Sequence, residues 1–338
     1  MKKEVTVAVM GATGLVGRTM LQILAERKFP VGKLHALASA RSAGEEIEFA
    51  GGSVTVEELA KFDFAGVDIV LSSAGGSVSK EHAPRAAAAG AVVIDNTSAF
   101  RYDDDVPLIV PEVNASELEK GRKRGIIANP NCSTIQMVTA LKPLYDAAGI
   151  ERINVATYQS VSGSGKAAVE ELAQQSARLL NGQPIECTVS PKQIAFNVLP
   201  HIDTFQDNGY TREEMKLVWE TRKILGNPDI LVNPTAARVP VFYGHSEAVH
   251  LETERKLSAD EARKILSDAP GVKVLDKREP GGYATAATEG AHDDAVFVSR
   301  IREDISHPRG LDFWVVADNI RKGAALNSVQ IAELLLDK

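Results

Sequence analysis

Cys132 stands in the run Asn129-Pro130-Asn131-Cys132-Ser133-Thr134, a set of turn and cap residues leading into an apolar-periodic segment. That pattern predicts a helix beginning at the cysteine. A thiol at the positive end of a helix should lose its proton more readily, and a thiolate attacks acyl carbon. A lone cysteine is also commonly a small buried hydrophobe, so the run by itself leaves two readings. The nucleophilic one asks for a histidine elsewhere. His245 follows Gly244 at the head of a strand-like stretch, and a near-neutral imidazole suits acid–base work on a thiol. Arg238, earlier in the same segment, suits a bidentate contact to a carboxylate. A structural histidine and a surface arginine are the plainer alternatives for these two. His250 has the opposite strand parity to His245 and should face elsewhere. Cys187, in Ile185-Glu186-Cys187-Thr188, has no comparable setting and is assigned no role.

Other residues are suited to holding anions. Gly11-Ala12-Thr13-Gly14-Leu15-Val16-Gly17 follows a strand-like run. Glycines there let the backbone turn tightly and approach a pyrophosphate at a helix N-terminus. The spacing is GxxGxxG, a loose match to the usual GxGxxG, and a plain glycine turn would also satisfy it. The next strand ends in Ser39-Ala40-Arg41-Ser42, where an enzyme using NAD would place an acidic residue on the ribose. Arg41 and Ser42 suit a 2′-phosphate instead, which favours NADP over NAD. Asn96 to Arg101 follows a strand ending at Asp95, at the sheet edge where such folds bind ligands. Lys216 lies on a helix, where Glu213 at i,i−3 makes a surface ion pair the simple reading. Gln159 closes a strand ahead of the small-residue loop Ser160-Val161-Ser162-Gly163-Ser164-Gly165 and sits at the lip of the site.

The elements that must position these residues can be read from periodicity. Short β-rich runs at 5–10, 33–38, 68–72, 92–95, 108–110 and 125–128 alternate with helical patterns at 19–27 and 80–89, which signals βαβ units and a parallel sheet. Beyond Pro130 a helix is expected at 133–148, bent or broken at Pro143. A strand at 153–159 and a helix at 166–180 follow. The stretch 182–209 has little periodicity, and strands near 237–242, 246–254, 295–303 and 311–317 suggest a mixed or antiparallel sheet. A terminal helix at 319–336 carries an apolar stripe.

The 338 residues suit two domains. A net charge of −7 makes the chain a poor general binder of nucleic acid or anionic membrane, so any anionic ligand must be held by local Arg and Lys. Met1-Lys2-Lys3-Glu4 runs straight into a strand-like segment without a signal-peptide core, and no apolar run is long enough for a membrane span. Two dissimilar cysteines suit a reduced, cytoplasmic protein. No metal site is assigned.

Taken in order, these segments resemble the aspartate-semialdehyde dehydrogenase family: GATGLVG at 11–17, SARSAG at 39–44, Asn96 to Arg101, NPNCS at 129–133, QSVSGSGK at 159–166, EEMK at 213–216, Arg238 with His245, and DNIRKGAA at 318–325. The resemblance implies a Rossmann-type parallel-sheet domain, residues 1–130 and 319–338, that binds NADP. It implies a second α/β domain, residues 131–318, with a mixed, largely antiparallel sheet like that of glyceraldehyde-3-phosphate dehydrogenase, which makes a homodimer. It implies that Cys132 is the nucleophile of an acyl-enzyme thioester, His245 the acid–base residue, and Gln159 a group orienting the substrate. Arg238 would bind the substrate carboxylate, Glu214 its amino group, and Arg101 and Lys216 the phosphate. Gly11, Thr13, Gly14, Leu15, Val16, Arg41, Ser42, Ser162, Gly163 and Asn319 would contact NADP. The implied reaction reduces L-4-aspartyl phosphate to L-aspartate 4-semialdehyde, early in lysine, threonine, methionine and diaminopimelate synthesis.

Three alternatives remain at this level. A reductase of N-acetylglutamyl phosphate shares the loop, Cys and His but has no use for Glu214. A Cys/His hydrolase or acyltransferase would use a nucleotide domain only for regulation. A binding protein that senses NADP would leave Cys132 and His245 idle.

Overall fold

The computed structural model describes residues 4–336; the basic start at Met1-Lys2-Lys3 and the last two residues lie outside them. The described residues up to Asn131, with those from Ala324 onward, form one compact unit, and Cys132–Gly323 the other. The chain thus leaves the second unit at Ala324 rather than at the expected Asn319. The reason is local: the Asn319 side chain bonds to Ser160, Ser162 and Gly244, all of the second unit.

The first unit runs β1 (Val5–Met10), α1 (Leu15–Glu26), β2 (Val31–Ala38), β3 (Glu46–Phe49), β4 (Gly52–Glu58), β5 (Ile69–Ser72), α2 (Gly76–Ala88), β6 (Val92–Asp95), the single turn α3 (Pro111–Asn114) and β7 (Ile126–Ala128). The sheet order is β3-β4-β2-β1-β5-β6-β7. All pairings are parallel except β3 with β4. From β1 the chain winds to one side through β2 and β4, then crosses to β5 on the other. That reversal opens a crevice at the carboxyl ends of β1 and β5, where doubly wound sheets bind ligands. The core beneath joins Val7 and Val9 of β1, Met20, Ile23 and Leu24 of α1, and Leu71, Ile94 and Ile127.

The sheet differs from expectation in two places. The hairpin of β3 and β4 is an addition to the expected strands, although Ile47 and Phe49 alternate with glutamates. Its turn is Ala50-Gly51, both with positive φ (50° and 81°), the conformation of the favoured two-residue hairpin turn. The strand expected at 108–110 is only an isolated parallel bridge of Leu108 with Ala128. Pro111 opens α3 immediately after it and ends any extended run.

The second unit runs α4 (Cys132–Ala148), β8 (Arg152–Gln159), α5 (Lys166–Leu180), α6 (Arg212–Leu225), β9 (Leu231–Arg238), β10 (His245–Glu252), α7 (Ala259–Ser267), β11 (Val272–Val274), β12 (Val296–Glu303) and β13 (Gly310–Ala317). Its sheet is mixed, in the order β11-β12-β13-β10-β8-β9. β10 is antiparallel to both neighbours, whereas β8 pairs β9 in parallel. Met137, Leu141 and Leu144 of α4, Leu217 of α6 and Leu266 of α7 pack on Ile153, Val155, Val249, Leu311, Phe313 and Val315 of the sheet. This burial explains why α4 continues through Pro143 instead of breaking there: tertiary packing outweighs a local cost of about 3 kcal/mol.

The strand expected at 237–242 lies earlier, at Leu231–Arg238, with Pro234 inside it. β9 is the sheet's edge, the one place where a strand tolerates proline. The stretch 182–209 holds only isolated bridges. It is anchored by Glu171, which accepts from the amides of Thr188, Val189 and Ser190, and by Gln175, which accepts from Ile194 and Ala195. The terminal helix begins later than expected. A wide π-type turn at Arg321–Ala325 precedes α8 (Leu326–Leu336), whose Leu326, Val329 and Ile331 join the first unit's core.

Candidate active site

In the first unit, the amides of Gly11 and Ala12 both donate to the Leu37 carbonyl, at 2.9 and 3.1 Å, which folds the loop back across β2. Gly11 has φ +81°, and a Cβ there would sit 3.0 Å from the Ala74 backbone. At Gly17 a Cβ would lie 2.1 Å from the Gly11 carbonyl oxygen, so only glycine lets α1 start this close to the loop. Gly14 caps α1 without any side-chain bond, leaving the amides of the first turn uncapped by side chains. Gly11, Thr13 and Gly14 line a cavity of about 500 Å³ with Ser39, Leu59, Ser73, Ala74 and Val78. Leu15 and Val16 begin α1 beside it, Arg41 is exposed past the end of β2, and Ser42 is buried. Nothing acidic follows β2 in Ser39-Ala40-Arg41-Ser42, so the loop has the charge a 2′-phosphate requires.

Further along the same sheet edge, Asp95 shapes the loop that follows it. Thr97 donates from its amide and hydroxyl to the two Asp95 oxygens, at 3.1 and 2.8 Å. Arg101 is buried and donates to the Asn96 carbonyl at 2.7 Å.

In the second unit, Cys132 is the first residue of α4 and is half-buried. Gly323 packs on it so closely that a Cβ at 323 would lie 2.7 Å from the Cys132 Cβ. The neighbouring strand ends bring the partners together. Gln159 is the last residue of β8 and Arg238 the last of β9, paired in register; His245 is the first of β10. Arg238 is buried and donates to the Ser160 carbonyl at 2.8 Å and the Ser164 hydroxyl at 3.0 Å. Burial lowers its pKa, against the opposing pull of Glu213 and Cys132. A guanidinium that senses the charge on sulfur favours the thiolate, as does the end of α4.

His245 is fully buried. Its Nδ1 accepts from the Ser160 amide at 3.0 Å, with the Ser160 hydroxyl at 3.1 Å. Nε2 has no hydrogen-bond partner among the described residues. It lies toward Gly163, where a Cβ would stand 3.5 Å from it. Burial, helped by the charge of Arg238, pushes the ring's pKa down to about 3, so the imidazole is neutral at physiological pH. His250 points away as strand parity requires, beside Asp312 at 3.1 Å.

One expectation is corrected by the geometry. Glu214 does not face this cluster: its carboxylate accepts from the amides of Thr211 (2.7 Å) and Ala236 (3.0 Å), the first being half of a capping box at the start of α6. Its neighbour Glu213 faces the cluster instead. Glu213 is buried, accepts from Gln159 Nε2 at 3.0 Å and pairs with Lys216 at 2.9 Å. The Glu213–Lys216 pair is therefore real but not a surface pair. Lys216 also reaches Asp203 at 2.8 Å. Burial works against its charge, but the two carboxylates outweigh that and raise its pKa.

Asn319, expected at the dinucleotide, is buried with its amide turned on the protein. Its oxygen accepts from Gly244 N (2.9 Å) and the hydroxyls of Ser160 (3.1 Å) and Ser162 (3.2 Å), and its nitrogen donates to Ser162 (3.0 Å). Ser162 is thereby fixed, while Gly163 next to it is exposed. Cys187 is exposed, outside this cluster. Sequence reasoning missed Glu213 as a site residue, and with it Asp203 and Ser160. For Glu213 the signal was the i,i+3 spacing to Lys216; burial, which spacing does not report, decides its meaning. No helix among the described residues is long and apolar enough to cross a membrane.

A parallel-sheet unit with a glycine-lined crevice, and a mixed-sheet unit with a cysteine at a helix start, define a two-domain dehydrogenase. The models for the semialdehyde dehydrogenase NAD binding domain and dimerisation domain match residues 6–121 and 141–322. An aspartate-semialdehyde dehydrogenase of Legionella pneumophila is 62% identical over 335 residues, covering 99% of this chain and 96% of that one. The crystal structure of aspartate semialdehyde dehydrogenase II complexed with ASA from Vibrio cholerae superposes with a TM-score of 0.98, at 56% identity and 99% coverage of both chains. The aspartate semialdehyde dehydrogenase with NADP from Candida albicans superposes with 0.76, at 26% identity and 98% coverage of both. The chain belongs to the aspartate-semialdehyde dehydrogenase family, and is an oxidoreductase.

Proposed function

We propose that this protein reduces L-4-aspartyl phosphate to L-aspartate 4-semialdehyde, releasing phosphate, through a thioester on Cys132. The observation that carries the reading is the grouping of Arg238, Gln159, Glu213 and Lys216 in the unit that bears Cys132 and His245: one buried cation for a carboxylate, one buried anion for an ammonium, one further cation for phosphate. A substrate held at both charged ends has its acyl carbon aligned for attack.

In this reading the Cys132 sulfur attacks the acyl carbon, a C–S bond forms and the C–O bond to phosphate breaks. Lys216 and Arg101 stabilise the departing anion. Arg238 binds the α-carboxylate and Glu213 the amino group, with Gln159 orienting the acyl group. NADPH, when bound, supplies the hydride. The first unit supports that cofactor with uncapped amides at α1, the crevice lined by Gly11, Thr13 and Gly14, and Arg41 where NAD would call for a carboxylate. NADP in the Candida albicans relative and ASA in the Vibrio cholerae relative point the same way.

The reading extends to a homodimer formed through the second unit, on the description of the family model for residues 141–322. It also extends to the cytoplasm, where free thiols such as Cys132 and Cys187 are kept reduced. The proposed cofactor-binding portion is the unit that ends at Asn131 and resumes at Ala324, and the proposed catalytic portion is Cys132–Gly323.

The test is phosphate-dependent reduction of NADP by aspartate semialdehyde, followed by absorbance. Turnover should require phosphate and fail with the N-acetylated and decarboxylated analogues. Equal rates with the N-acetylated substrate would favour an N-acetylglutamyl-phosphate type of reductase instead.

A further inference from the structure

We propose that Asp203 is an internal stand-in for phosphate: it occupies Lys216 when phosphate is absent, yields to it on binding, and takes its place as it leaves. Asp203 thereby sets how weakly the product phosphate is held. The inference rests on Lys216 being a phosphate ligand, as assigned above, and deepens that reading.

A lysine ammonium has three N–H donors and no acceptor. On Lys216, Nζ donates to Oδ2 of Asp203 at 2.8 Å and to Oε2 of Glu213 at 2.9 Å. Two of three donors are thus committed, and one cation faces two anions. A phosphate dianion arriving at this group meets no surplus of positive charge. Freeing Nζ from Asp203 leaves Lys216 paired one to one with Glu213 and returns a donor to the ligand.

The two carboxylates are not equivalent, and their surroundings decide which one yields. Glu213 lies in the first turn of α6, and its other oxygen accepts from Gln159 at the end of β8. Its side chain is 6% exposed, whereas that of Asp203 is 30% exposed. Asp203 belongs to the irregular stretch 182–209, and its Oδ1 accepts only from its neighbour Thr204, from the amide at 2.8 Å and the hydroxyl at 3.4 Å. Water can replace Asp203 on Lys216 at little cost, because a part-exposed ion pair contributes little. Glu213, sealed against the sheet, has no such substitute.

The same arrangement serves release. Burial works against the charge on Lys216, and the two carboxylates together hold it protonated before any ligand arrives. When phosphate departs, the returning Asp203 replaces the charge-assisted bond that is lost. Asp203 acts through Lys216 and is a positioning residue for it.

The backbone makes a clean test available. Asp203 has φ +68°, in the left-handed region where Asn and Asp are the best tolerated side chains after glycine. Asp203→Asn keeps that conformation, the size and the acceptor for the Thr204 amide, and removes only the charge.

Binding of inorganic phosphate to the full-length protein with NADP present, followed by calorimetry, is compared for the parent, Asp203→Asn and Lys216→Met. Asp203→Asn should bind phosphate about three- to tenfold more tightly, and Lys216→Met more weakly than the parent. KM for phosphate during oxidation of aspartate semialdehyde should fall by the same factor in Asp203→Asn. Damage to the fold would weaken binding, so a gain in affinity separates this role from a merely structural one. Phosphate affinity unchanged or lowered in Asp203→Asn, or unchanged in Lys216→Met, would overturn the proposal. Binding is measured without aspartate semialdehyde, so a protein that shows this pattern yet fails to reduce NADP would support the role of Asp203 and sink the assigned reaction.

Discussion

Nε2 of Gln159 donates to Oε1 of Glu213 across 3.0 Å, tying the end of β8 to the first turn of α6. This bond and the Lys216 pair hold the Glu213 carboxylate in place, while Glu214 caps the helix. The two glutamates should therefore fail differently. Glu213→Gln loses a charge-assisted contact to the substrate ammonium worth about 1.5–3 kcal/mol, so KM for aspartate semialdehyde should rise roughly 10- to 100-fold, an effect Glu214→Ala should not share. Glu214→Ala loses a cap worth about 1 kcal/mol, so it should lower the melting temperature. Steady-state kinetics and thermal denaturation of both variants separate the roles. A KM effect confined to Glu214→Ala would reverse the assignment.

Arg41 should read the cofactor's extra phosphate. Arg41→Ala is expected to raise KM for NADPH about tenfold or more, through loss of a charge-assisted bond, while KM for NADH stays unchanged. A parallel loss for both cofactors would show that Arg41 supports the loop instead of recognising the phosphate.

Glu247 is a buried acid outside the proposed chemistry. It sits two residues beyond His245 on β10, facing the Gln136 carboxamide, and among the described residues no well-formed hydrogen bond satisfies either of its oxygens. Burial raises its pKa well above the ordinary 4.5. The sign of the consequence is fixed. From pH 4.5 up to the raised value the folded protein binds one more proton than the unfolded chain, so stability falls as pH rises, by up to about 1.4 kcal/mol per unit. Glu247→Gln removes this dependence. Its melting temperature should gain on that of the parent between about pH 5 and pH 8, measured by calorimetry. Parallel curves for the two proteins would mean that the carboxyl is ionised when folded.

Much of this was legible in the residues. Cys132 opens α4, and the helix expected at 166–180 has those bounds, because cap residues and 3.6-residue periodicity are local signals. The losses came where tertiary context overrides local preference. Pro234 argues against a strand until β9 is known to be an edge. The helix α7 is too short for a clear periodic signal, although Ser258 and Glu261 form a capping box at its start. Choosing between Glu213 and Glu214 is a rotation of about 100° around a helix, and only packing sets which one turns inward. The Ser160 amide on His245 leaves no trace in side-chain type at all.

The central claim is a covalent bond at one sulfur, and intact-protein mass spectrometry tests it most directly. Incubated with NADP and aspartate semialdehyde without phosphate, the protein should gain the mass of one aspartyl acyl group. Peptide mapping should place that group on Cys132, and Cys132→Ala should bind NADP yet gain nothing. A Cys132→Ala variant that still turns over at the parent rate, or an adduct on Cys187 alone, would contradict the account.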